Sequence, residues 1–224
     1  MSQRYDFYNL IHKGLRLGAA RLLARIGSLD TADGDAAAAL IADLRDFLAL
    51  ASSHLVHEDR EINGLLRRHA PDVAAALDTD HADHQETFAA LERLIAGLES
   101  APPAQRAAAL RTLYLRFTTY VADDMLHMAR EEEVALPVFH AHFTDAELAA
   151  AEARIIATIP PEKLMRYLRL MLPAAPPQDR IAFLRDLKAG APPEAFSAIL
   201  DQAARPSLAP KDWSQLCREF AVAA

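Results

Sequence analysis

Four long stretches of this chain set apolar residues at alternating steps of three and four, the spacing that turns one helix face into a buried seam. The first runs Tyr8, His12, Leu15, Ala19, Leu22, Ile26, and the second Leu40, Leu44, Phe47, Ala51, His54, Glu58, Ile62, Leu65. The third runs Val73, Leu77, His81, His84, Phe88, Leu91, Ile95, Leu98, and the fourth Leu110, Leu113, Phe117, Tyr120, Asp124, His127, Glu131, Val134, Val138. Strand signals are nearly absent, because β-branched residues are scattered and no stretch alternates apolar and polar for long. Asp33-Gly34-Asp35, Pro71-Asp72 and Ala101-Pro102-Pro103 punctuate the pattern, so helices are expected over residues 4–28, 36–69, 72–99 and 104–141. Short links between long helices favour antiparallel neighbours. The expected fold is therefore all-α, an up-down-up-down four-helix bundle followed by a C-terminal extension of short helices.

Every seam contains a histidine, and two contain a glutamate. With a rise of about 1.5 Å per residue and alternating helix directions, these polar residues fall in one layer about 10 Å deep. Burying two ionised carboxylates there is costly, and no seam Lys or Arg stands at that level to pair them. A bound cation supplies the missing charge. His-x-x-x-Glu puts both side chains on one helix face a turn apart, and it occurs twice, as His54 to Glu58 and His127 to Glu131. Two such pairs suit two metal ions, and the mixture of imidazole and carboxylate suits iron, manganese or zinc rather than copper(I).

At these residues the chain resembles the hemerythrin family, in its cation-binding HHE branch. The matching segments are Ile11-His12-Lys13, His54-Leu55-Val56-His57-Glu58, Asp80-His81-Ala82-Asp83-His84 and His127-Met128-Ala129-Arg130-Glu131-Glu132-Glu133-Val134, the last closing with Leu136-Pro137. The resemblance covers residues 4–141. It implies a non-haem di-iron centre, oxo- and carboxylate-bridged, with His12, His54, Glu58, His127 and Glu131 as ligands plus His81, His84 or both. Oxygen-carrying members have His-x-x-x-His on the third helix and His-x-x-x-x-Asp on the fourth, where this chain has His81-x-x-His84 and His127-x-x-x-Glu131. Either third-helix spacing stays on one face, and His84 continues the Phe88 and Leu91 register.

Other polar residues read differently. His57 with Glu61 is a rival pair at the seam's edge, read as supporting or solvated, and Asp124 is placed to accept a ligand histidine's N–H. Tyr8 and Tyr120 read as packing, Glu132 and Glu133 as a solvated face, and His69, His140 and His142 as exposed helix ends.

Composition changes near Phe143. Residues 1–141 hold 14 of the 24 Lys+Arg and 21 of the 31 Asp+Glu, so the whole net charge of −7 belongs to them, and they hold eight of the nine histidines. Nine of the thirteen prolines come later. The expected domains are residues 1–143, the metal-bearing bundle, and 144–224, an extension packing on the bundle or on a partner. In the extension Thr144-x-x-Glu147 reads as a capping box, and Pro161, Pro177, Pro193 and Pro210 each read as the first residue of a helix.

No basic stripe is present, so a nucleic-acid partner is not expected. No run of about 18 apolar residues occurs, and the start of the chain is charged, so neither a membrane span nor an export signal is expected. The single cysteine, Cys217, reads as a small buried residue, and the expected location is the cytoplasm. The functional expectation is a non-haem di-iron protein that senses O2, NO or redox state, or handles iron. An O2- or peroxide-activating di-iron enzyme, or a bundle with a structural zinc site, is the alternative. Two iron ions are the expected cofactor, with zinc or manganese as substitutes. The expected partner is a small gas, O2 or NO, with a homodimer or protein partner through the extension.

Overall fold

The computed structural model describes residues 4–221, which are all-helical, with no strand among them. The long elements are α1 (Asn9–Ser28), α2 (Gly34–Glu61), α4 (Pro71–Ser100) and α5 (Pro103–Arg130), with a short α3 (Asn63–Leu66) between α2 and α4. A π-helical turn, Glu131–Ala135, joins α5 to α6 (Leu136–His142), and α7 (Asp145–Thr158) follows. Beyond it come α8 (Pro161–Ala174), α9 (Pro177–Gly190), α10 (Pro193–Ile199), a second π-helical turn at Leu200–Ala204, α11 (Arg205–Ser207) and α12 (Pro210–Phe220). None of the described helices is long and apolar enough to cross a membrane.

Local chemistry explains most boundaries. Asp33 caps α2 by accepting from the Ala36 N–H at 2.9 Å. Prolines at the first helical turn open α4, α5, α8, α9, α10 and α12, where a missing N–H costs nothing. Thr144 and Glu147 form the reciprocal capping box, with Thr144 N–H to Glu147 Oε2 at 2.8 Å and Glu147 N–H to Thr144 Oγ1 at 3.3 Å.

Three boundaries differ from the sequence expectation. The first helix begins at Asn9 rather than residue 4, because the chain before it is held elsewhere. Arg4 pairs with Asp145 at 2.5 Å and donates to the carbonyls of His140 and Phe143, while Asp6 accepts from the Tyr8 N–H. The second helix breaks at Ile62 instead of running to residue 69. There the buried Asn63 donates to Asp59 Oδ1 at 3.1 Å and Asp78 Oδ1 at 3.2 Å, and the buried leucine becomes Leu66 rather than Leu65.

The third difference is the π-helical turn. Leu136 donates to the Glu131 carbonyl, five residues back, and Pro137 follows. Inside an α-helix Pro137 would leave the Glu133 carbonyl without its bond and press its ring against it, and the wider turn relieves that. The extra residue slips the register by one. Ala135 and Phe139 are fully buried, and Val134, expected in the seam, is 45% exposed. The second π-helical turn stands in the same relation to Pro206.

The described chain forms two compact units. The first takes the chain up to Tyr8 and Gly18–Ala157, and the second takes Asn9–Leu17 with the chain from Thr158 onward. In the first unit α4 packs against both α2 and α5. One apolar cluster there joins Phe7, Tyr8, Ile62, Leu66, Leu77 and Phe139. The second unit has its own core, centred on Leu168, Leu172, Leu184, Phe196, Trp213 and Phe220, and Cys217 is buried in it. Arg180, 3% exposed, ties that core together by donating to the carbonyls of Leu172 and Ala175 at the end of α8. The compositional change near Phe143 thus falls inside the first unit, which includes α7 up to Ala157.

Candidate metal centre

Three elements of the first unit carry donors at one level: α2 through Glu58, α4 through His81, and α5 with its π-helical turn through His127 and Glu131. All four are buried, and each offers one atom within 4.8 Å of the other three. His81 Nε2 lies 3.1 Å from His127 Nε2, 3.7 Å from Glu58 Oε2 and 3.9 Å from Glu131 Oε1. His127 Nε2 lies 3.4 Å from Glu131 Oε2. On α2, His54 Nε2 stands 3.1 Å from Glu58 Oε1.

Two carboxylates that the sequence reading passed over orient the imidazoles. Asp59 Oδ1 meets His81 Nδ1 at 2.7 Å, and Asp80 Oδ2 meets His127 Nδ1 at 3.3 Å while also pairing with Arg130. An acceptor on each Nδ1 assigns the proton there and leaves both Nε2 atoms as lone-pair donors. Two lone pairs facing each other at 3.1 Å repel. A proton or a metal ion must stand between them.

The electrostatics agree. Burial works against a charge on His81, but the carboxylates of Glu131, Glu58 and Asp59 outweigh it and lift its pKa to about 9. Burial, together with the charge of His81 and the neighbouring His84, holds His127 down to about 4. One proton is thus held where four donors converge, and a cation would displace it. Two buried carboxylates, two oriented imidazoles and an outer pair of aspartates fit a first-row metal of borderline softness.

The remaining candidates are placed as follows. His84, 5% exposed, is not one of the four, although its ring meets that of His127 at 5.1 Å and that of Tyr120 at 5.9 Å. His12 is fully buried on α1, in the segment Asn9–Leu17 of the second unit. Tyr8, 1% exposed, has its pKa raised by burial and by the charges of Glu131 and Glu58. Asp124 is buried beside Tyr120, whose pKa is raised by burial and by that carboxylate. Glu61 accepts from Arg154 at 2.9 Å. Glu133 is exposed, and His69 and His142 are exposed with their rings stacked at 4.0 Å. His140 Nε2 meets the Tyr5 carbonyl at 2.8 Å.

An all-helical unit with a buried cluster of histidines and glutamates is a cation-binding protein by its donor chemistry. The chain belongs to the hemerythrin family: the family model described as the Hemerythrin HHE cation binding domain matches residues 4–139. No curated protein and no solved structure shows a significant match to it.

Proposed function

We propose that the chain holds a non-haem di-iron centre and uses it to bind a small gas, O2 or NO, or to sense redox state or handle iron. The observation that carries this is the pair of Nε2 atoms of His81 and His127 facing each other at 3.1 Å between two buried carboxylates. His81, His127, Glu131 and Glu58 would hold the iron, with His12 and His54 as the further ligands that the family resemblance implies. An up-down-up-down bundle of α1, α2, α4 and α5 with its π-helical turn provides the scaffold, and the helices beyond it form a separate extension. The short links Leu29–Asp33 and Ala101–Pro102 support that topology.

When bound, the iron pair supplies one-electron redox change and an open coordination position for a diatomic ligand. The chain's own residues do the rest. Asp59 and Asp80 fix the imidazole tautomers, and Arg130 holds Asp80 in place. Glu58 and Glu131 are themselves 2% and 0% exposed, so bulk water is kept from the carboxylates.

Metal analysis of protein reconstituted with Fe(II) under anaerobic conditions tests the reading. About two irons per chain are expected, since the donor set is too large for one ion. A single tightly bound ion, or a preference for zinc with no iron spectrum, overturns it.

A further inference from the structure

The seam of α5 is buried, and the helix carries a second apolar pattern on its other side. Leu115, Thr119, Ala122, Leu126 and Ala129 follow one another at steps of four and three, with Arg111 one turn before them and Glu133 one turn after. At about 100° per residue, this face lies about half a turn round the helix from Phe117, Tyr120, Asp124 and His127. The metal donors point the other way, so the surface is independent of the di-metal reading.

Exposure sets it apart from an ordinary solvated face. Five large apolar side chains are exposed among the described residues, and four of them, Leu115, Met125, Leu126 and Val134, stand on α5 or on the π-helical turn that follows it. Leu115 is 50% exposed and Leu126 68%. Single exposed leucines are ordinary, but their concentration along one helix marks a surface that a partner covers.

The ends of the face select that partner. Arg111 lies over the Tyr114 ring at 5.8 Å and Glu133 is exposed, and neither has an ion-pair partner among the described residues. Arg111 stands eleven residues before Ala122 and Glu133 eleven after it. A second copy of the helix, laid antiparallel about a two-fold axis at Ala122, sets Arg111 of each copy against Glu133 of the other. The same register sets Leu115 against Ala129 and Leu126 against Thr118, so a larger side chain meets a smaller one at each level, and the small Ala122 lets the helices approach at the axis. A parallel copy would set like charge on like.

We propose that this face of α5 binds a second copy of the chain, antiparallel, in a two-fold dimer centred on Ala122. One helix face makes a small interface, so half-dimerisation is expected at about 10–100 μM.

Sedimentation velocity of the full-length chain from about 1 to 300 μM tests it, with the mass expected to rise towards twice the 24.6 kDa of one chain. Leu115→Gln/Leu126→Gln is expected to stay monomeric with its helical circular dichroism unchanged, while Val56→Gln, at an exposed position of α2, dimerises as wild type does. Arg111→Glu and Glu133→Arg each place like charges at both ends of the interface, and each is expected to dimerise about ten-fold more weakly at low salt. Mixed in equal amounts, the two variants carry opposite charges at both ends, and dimerisation is expected to return to near wild-type strength. A wild-type chain that stays monomeric throughout overturns the proposal and assigns the face to a different protein. A dimer that survives Leu115→Gln/Leu126→Gln overturns it too, and so does a mixture of the charge variants that associates no better than either one alone.

Discussion

At the scale of single residues, the centre is built as much by its outer carboxylates as by its donors. Asp59 is half of a chain that starts at Asn63, whose amide holds the Asp59 carboxylate against His81 Nδ1. Asp59→Asn keeps the size and loses the charge, so His81 becomes a weaker and less oriented donor. Metal affinity is expected to fall about 10- to 100-fold by chelator competition, with the fold retained. Glu133→Gln, an exposed carboxylate two residues from Glu131, is expected to leave affinity unchanged, and equal losses would show that only overall charge matters. Glu131→Gln tests the pairing at the centre. It removes a carboxylate that helps hold the proton on buried His81, so it is expected to lose metal and also to lower the melting temperature of the metal-stripped chain. A raised melting temperature would mean that the buried carboxylate costs more than its pairing with His81 returns. The seam donors were readable from the sequence because a histidine or glutamate among leucines at steps of three and four has no other place to point. Asp59 and Asp80 were not readable, because an aspartate next to a seam residue has the same pattern as a solvated one, and only the bend at Ile62 and the approach of α4 turn them onto imidazoles.

At the scale of elements, the π-helical turn is the feature the seam pattern hides. Val134 and Val138 continue the spacing of three and four from Glu131, so the sequence offers a regular helix, while the structure buries Ala135 and Phe139 instead. Pro137 was the available signal, since a proline six residues after the start of the turn also follows the second π-helical turn, at Pro206. By contrast, helix starts at Pro161, Pro177, Pro193 and Pro210 were readable, because a proline at the first turn acts locally and needs no tertiary context. Deleting Glu133 tests the account. It brings Ala135 and Phe139 to three and seven residues after Glu131, the ordinary seam spacing, but leaves Pro137 inside a regular helix at a cost of about 3 kcal/mol. The deletion alone is expected to destabilise the chain by that order in denaturant unfolding, and adding Pro137→Ala is expected to restore most of it. A double variant no more stable than the deletion would show that the wide turn exists for another reason than the proline.

At the scale of the whole molecule, one helix is divided between two packing environments. Residues Asn9–Leu17 of α1 count with the second unit, while the rest of the helix counts with the first. Within the second unit the approach is close. A Cβ on Gly14 would stand 3.0 Å from the Met171 backbone nitrogen and 3.1 Å from the Leu170 carbonyl carbon, and Lys13 Nζ lies 3.8 Å from Asp179. Backbone atoms of α8 give way less easily than a side-chain tip, so Gly14→Ala is expected to cost about 1–3 kcal/mol, read from denaturant unfolding. The stronger test is removal of the chain from Thr158 onward, which takes away α8 and α9 and leaves Asn9–Leu17 without the helices they pack on. A single helical segment of nine residues has little stability of its own. In the resulting fragment, residues 9–17 are expected to lose hydrogen-exchange protection first, while α2, α4 and α5 keep theirs, and apolar surface is expected to bind a hydrophobic dye. If His12 is a ligand, as proposed above, the fragment also exchanges metal faster than the full chain. Full-length protection at residues 9–17 in the fragment would show that the first unit holds this segment unaided, and the helices beyond Thr158 would then need a role independent of α1.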